Sequence, residues 1–232
     1  MELATSQFWL AGLEIIVINI LLSGDNAVVI ALACRNLPPH QRRWGVFWGA
    51  IGAIVLRIIL TFFAVTLLEL PYLKLVGGAL LVWIGIKLIA EDEDAGTEVQ
   101  ASDRMLSAVK TVIVADLVMS IDNVLAVAGA AKGSLVLLIF GLVVSIPLVI
   151  VGAQLIMKMI ERLPILILAG GGLLGYVAGE MVVQDPALAH WIAAGPHWLH
   201  WGIPLAGVIL VIGVAKWMDR GRHAREVGPP GA

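Results

Sequence analysis

Leu22-Ser23-Gly24-Asp25-Asn26-Ala27 lies inside a long apolar segment, and Met119-Ser120-Ile121-Asp122-Asn123-Val124 repeats its Ser-Xaa-Asp-Asn core 97 residues later. Each stretch sets a carboxylate beside an amide where the flanking residues offer no water. A second pair of markers follows in the same order. Gly77-Gly78-Ala79-Leu80-Leu81-Val82-Trp83 resembles Gly170-Gly171-Gly172-Leu173-Leu174-Gly175-Tyr176 at an offset of 93. Two markers at nearly one offset indicate a duplicated unit. If each unit has three membrane helices, the second must lie upside down. Inverted repeats of that kind build secondary transporters, whose substrate site lies near the bilayer midplane where the repeats meet.

Composition places the chain in a membrane. Of 232 residues, 60% are hydrophobic and 14% charged, with a mean hydropathy of +0.97. That is the signature of an all-α polytopic membrane protein. With about 20 apolar residues per span, seven helices are expected at 9–33, 44–69, 71–90, 106–130, 134–157, 164–184 and 198–217. The organisation follows as a first three-helix repeat over 1–90, an acidic linker over 91–105, a second, inverted repeat over 106–184, and an outer loop, seventh helix and basic tail over 185–232. The absence of a basic run before the first helix, and Glu14 within it, argue against a cleaved signal peptide.

Lysine and arginine settle on the cytoplasmic side. An outside N-terminus puts twelve of them inside, including Arg35, Arg42, Arg43, Lys87 and the tail, and only Lys74 and Lys132 outside. The expected topology is therefore N-terminus out and C-terminus in. The segment 91–103 carries six acids and no base, as a solvated linker does. Scattered bases at net charge −2 exclude a nucleic-acid partner. The one cysteine, Cys34, excludes an intramolecular disulfide and a thiolate metal cluster.

Glu14, Asp25, Asp116 and Asp122 all fall within predicted spans. Burying each unpartnered costs about 2.5–3.5 kcal/mol at a helix centre, so something must partner them. Glu14 and Asp25, eleven apart, share a helix face, and so do Asp116 and Asn123, seven apart. Gly24 allows a local break that would free backbone carbonyls. Brought together by the inverted symmetry, Asp25, Asn26, Asp122 and Asn123 form an oxygen-rich cage of charge near −2, to which Ser23 and Ser120 add hydroxyls. Such a cage suits a hard divalent cation: manganese, calcium or magnesium. No tightly bound cofactor is expected. Arg57 is the one base deep in a span and serves as a partial counter-ion; the corresponding residue of the second repeat is the neutral Gln154. A further role, filling the site when the ion is absent, is open to it.

Other features read as ordinary membrane chemistry. His190, His197 and His200 are interleaved with Trp191, Trp198 and Trp201, the pattern of an interfacial aromatic belt. Lys87 snorkels and Glu180 is interfacial. No phosphate loop, zinc-protease motif or hydrolase elbow is present, so an enzyme is not expected. Two rival readings stand beside transport: a metal sensor or scaffold of a stress-resistance complex, and an intramembrane aspartyl protease. The Asn after each motif aspartate speaks against the second.

On Glu14, Leu22 to Ala27, Asp116, Ser120, Asp122, Asn123 and Ala126, the chain resembles the TerC family, and within it the short bacterial YjbE-type members, over roughly 8–217. The resemblance implies seven helices of the kind shared with the lysine-exporter superfamily, a place in the bacterial inner membrane, and manganese movement out of the cytoplasm. A homo-oligomer or larger membrane complex is an open partner. Tellurite, although the family is named for it, does not suit the site, because a cage of charge −2 repels an oxyanion.

Overall fold

The computed structural model describes residues 13, 24–68, 70–90, 101–130 and 135–226, with the backbone alone at 64–68, 101, 122–130, 135, 137, 138, 145 and 221–226. Its elements are α1 (Gly24–Cys34), α2 (Pro39–Leu68), α3 (Leu73–Ala90), α4 (Ala101–Ala130), α5 (Leu135–Arg162), α6 (Ile165–Val183), the short α7 (Ala189–Ala194) and α8 (Leu199–Glu226). Among the described residues there is no strand. Among the described residues five helices are long and apolar enough to cross a membrane: α2, α3, α5, α6 and α8. The two that carry the motifs are α1, described from Gly24 onward, and the 30-residue α4.

Several helix ends differ from the sequence expectation, each for a physical reason. The second helix starts at Pro39, five residues early, because proline is pre-set for the first helical turn; Pro38 O accepts from Gln41 N and Arg42 N. The helix expected from 106 begins at Ala101, with Asp103 favourably placed in its first turn. The last helix outruns its apolar span to Glu226, carrying Arg220, Arg222 and Arg225 near its C-terminus. From Gly24 onward α1 is an unbroken helix, and the break that Gly24 could allow falls at the edge of the described residues.

Large apolar side chains point outward, Ile209 being 72% and Val151 63% exposed, as a lipid-facing surface requires. Inside, α2 packs chiefly on α4, and α1 on α5, while α6 packs on α3 and α8. Small residues make the second group close. A Cβ on Gly175 would lie 2.4 Å from Gly207 O, one on Gly179 2.4 Å from Pro204 Cα, and one on Gly78 2.8 Å from Ala178 O. Lipid is as apolar as leucine, so helices in a bilayer associate through such backbone contact. The repeated glycine motifs are thus the seam between α3 and α6, where Gly85 and Gly171 also approach.

Candidate functional site: an intramembrane charge cluster

Arg57 stands midway along α2 and faces α4, with its neighbour a turn on, Thr61, donating from Oγ1 to the Arg57 carbonyl at 2.7 Å. Its guanidinium is buried at 3% exposure. Arg57 Nη2 donates to Asp116 Oδ1 at 2.5 Å and Nε donates to Ser120 Oγ at 2.9 Å. Ser120 Oγ in turn donates to Asp116 Oδ2 at 3.0 Å, across one turn of α4. The three side chains close a ring in which both Asp116 oxygens are engaged. A buried carboxylate and guanidinium left apart would each face the full desolvation penalty, so the ring holds the two helices together.

Asp25, the first motif's carboxylate, is carried by α1, which packs against α4. It lies in the first described turn, half-buried, with Oδ1 accepting from Asn26 N at 2.8 Å. Asn26 beside it is buried. Asp122 and Asn123 lie on α4 less than two turns beyond Asp116, placed by backbone only. Glu14 and Ser23 lie outside the described residues. The structure thus brings Asp116 and Ser120 together around Arg57, while Asp25 and Asn26 stand next to each other at the start of α1. Among the described residues, no group of three or more histidine, cysteine, aspartate or glutamate side chains is arranged to hold a metal.

Three buried charged residues, Asp185, Arg35 and Lys74, were not singled out from the sequence as site residues. Asp185, in the loop after α6, is fully buried. Its Oδ1 accepts from Tyr72 N at 3.0 Å and Ala187 N at 2.8 Å, and Oδ2 accepts from Leu75 N at 3.0 Å. Asp185 thereby caps the start of α3 from another part of the chain, and Tyr72, at φ 67°, is held in the left-handed turn that aims those N–H groups. Burial pushes the Asp185 carboxyl up, but the backbone donors outweigh it and hold it below its ordinary range. The Asp185-Pro186 turn signal was the available clue. At the other end of the bundle Arg35 is buried and donates to Leu32 O at 3.3 Å and Leu88 O at 2.7 Å, tying the ends of α1 and α3. His197 and His200 stand 5.6 Å apart, ring to ring, both exposed.

A bundle of apolar helices around a buried, acid-rich cluster defines a multi-pass integral membrane protein. Comparison with known proteins specifies it: residues 4–223 match the model of the integral membrane protein TerC family, and the chain belongs to that family. It is 45% identical over 187 residues to the uncharacterized membrane protein YjbE of Bacillus subtilis, covering 81% of this chain and 85% of the relative. YceF of the same organism is 29% identical, covering 72% of this chain and 68% of that protein. The inner membrane protein YgdQ of Escherichia coli is 26% identical, covering 67% and 73% respectively. No solved structure matches the chain.

Proposed function

We propose that the protein is a divalent-cation transporter, not an enzyme, that moves manganese out of the bacterial cytoplasm through this cluster. The observation that carries the reading is the buried ring of Arg57, Asp116 and Ser120 between α2 and α4, with the half-buried motif carboxylate of Asp25 on α1: acid-rich polar chemistry set in an apolar bundle, where charge marks an ion path. Asp25 and Asp122 are the principal charged ligands, with Asn26, Asn123, Ser23 and Ser120 adding neutral oxygens. Such a set favours manganese, calcium or magnesium over softer ions. Glu14 and Asp116 line the path or carry protons. The pairing of α1 with α5 and of α2 with α4 is what exchange of two inverted repeats would generate, which supports alternating access at their junction. The protein sits in the inner membrane with its N-terminus outside.

Export of a divalent ion against 100 mV costs about 4.6 kcal/mol, twice the single-charge figure. Proton exchange through the carboxylates supplies that energy. The test is total manganese, with calcium and magnesium in parallel, in manganese-loaded cells carrying wild type, Asp25→Asn, Asp122→Asn or empty vector at matched expression. Low manganese in the wild type alone supports export. Equal metal in all four points to a sensor or scaffold.

A further inference from the structure

We propose that the protein holds one anionic phospholipid at the basic end of the bundle, with the lipid phosphate between Lys87 and Lys110 and one acyl chain in a groove between α2 and α4. The inference stands apart from the transport reading. A cavity of about 420 Å³ opens between the end of α3 and the start of α4, lined by Trp83 and Lys87 from α3 and by Asp103, Ser107, Lys110 and Thr111 from α4. Lys87 is half-buried, with Nζ 5.7 Å from the ring centre of the exposed Trp83, and Lys110 and Ser107 are exposed. Two ammonium groups against the one carboxylate of Asp103 give the lining a net charge of +1. That suits a singly charged phosphodiester. An ammonium carries three donors, so Lys87 can keep its other contacts and still donate to a phosphate oxygen. Thr111 Oγ1 donates to Ser107 O at 2.9 Å, which leaves the Ser107 hydroxyl as the neutral donor at hand.

The chain has its place on the other side of Leu106. That residue lines both this cavity and a second one of about 590 Å³, to which α2 contributes Trp48, Val55 and Ile59 and α4 contributes Val109 and Ile113. Every residue lining the second cavity is apolar. From Trp48 to Ile59 its α2 wall is about 16 Å long at 1.5 Å per residue, close to one leaflet of a hydrocarbon core about 30 Å thick. The wall also runs inward: Gly52 lies against Ile113, and Ile59 is about two turns further along α2. A basic pocket between helices with an apolar groove beside it has the two halves of a phospholipid site. A second copy of the chain would bring apolar side chains to Lys87 and Lys110 that cannot answer their charge. A free phosphate has no chain to hold it against the linker acids between Glu91 and Glu98, which precede Asp103 in the sequence.

The measurement is native mass spectrometry of the full chain in detergent micelles, titrated with dioleoyl phosphatidylglycerol or dioleoyl phosphatidylcholine, with the one-lipid adduct counted. Wild type is expected to hold phosphatidylglycerol about fivefold more tightly, the worth of one net charge at a membrane surface. Lys87→Gln with Lys110→Gln should lower phosphatidylglycerol affinity about 25-fold, two such factors. Lys158→Gln with Arg162→Gln removes the same charge from the same end of the bundle, outside the cavity, and should change little. Val55→Trp, at a position 51% exposed, fills the groove and should weaken both lipids while keeping their ratio. Lys110→Gln alone decides, by a loss of about fivefold, if the double variant does not fold. Equal affinity for the two lipids overturns the proposal, and so does an equal loss in the two double variants. Displacement of the lipid by soluble glycerol 3-phosphate, or a Val55→Trp variant that binds as wild type does, would make the pocket a phosphate site without a chain and overturn it as well. No adduct with either lipid overturns it too, and points to the acidic linker as the occupant.

Discussion

Arg57 on α2 and Asp116 on α4 meet at 2.5 Å with their side chains only 4% and 6% exposed. Each keeps the other's charge tolerable, so their substitutions should not add. Removing one partner of a buried pair costs about 3–5 kcal/mol, because the survivor is left uncompensated. Arg57→Gln and Asp116→Asn should each lower the thermal midpoint in detergent sharply, and the double variant should lie above the sum of the two losses. Additive losses would mean that the pair is energetically independent.

How much of this was legible in the sequence differs from residue to residue. Arg57 could be picked out as a counter-ion because it is a base inside an apolar run, where charge has few explanations. The motif aspartates stood out for the same reason. Asp185 and Arg35 did not: both sit in polar connections, where a charged residue is ordinary, and their burial comes from tertiary packing that no local pattern reports. The ends of α4 and α8 were misplaced because hydropathy marks where lipid ends, whereas a helix continues for as long as its hydrogen bonds are satisfied. The glycine motifs were legible as a recurring pattern, but not as a seam, since contact with Gly171 or Ala178 is a property of two segments far apart in the chain.

That seam makes a graded prediction. A methyl group on Gly207 would lie 2.0 Å from Gly175 O, so Gly207→Ala must push α6 and α8 apart. Overpacking of this kind costs about 1–3 kcal/mol. Gly213, six residues on in α8, has nothing within 4 Å of the same position, and Gly213→Ala should be neutral or slightly stabilising through helix propensity. Thermal midpoints of the two variants, side by side in one detergent, test this. Equal midpoints would place the α6–α8 contact elsewhere.

Arg35 closes the opposite end. Its bonds to Leu32 O and Leu88 O satisfy carbonyls in the last turns of α1 and α3 that have no partner within their own helices. Arg35→Ala should cost about 1.5–3 kcal/mol, the range for a hydrogen bond to a charged group. Arg35→Lys should recover only part, since an ammonium lacks the fork that reaches two carbonyls. Unfolding by titration with sodium dodecyl sulfate ranks the three proteins, and a lysine variant as stable as wild type would show that charge alone suffices.

Asp185 gives the pH-dependent case. Its carboxyl is held below the ordinary range in the folded protein, so the stability it contributes is fully present above the unfolded value, near 3.9. That contribution falls away as the pH drops through the folded value, and is gone below both. Asp185→Asn keeps one acceptor but turns an N–H donor toward the cap, where the N–H of Tyr72 or Leu75 would meet it. At neutral pH the variant should be less stable by about 1.5–3 kcal/mol. The gap should hold down to the ordinary carboxylate range and then narrow, because only the wild type has a proton to take up at this position. Thermal midpoints of both proteins between about pH 7 and pH 3 measure it. Taking the difference removes the titration of every other carboxylate. A gap that stays constant to the acid end would mean that the Asp185 charge contributes nothing to the cap, and that its shape alone holds Tyr72 and Leu75 in place.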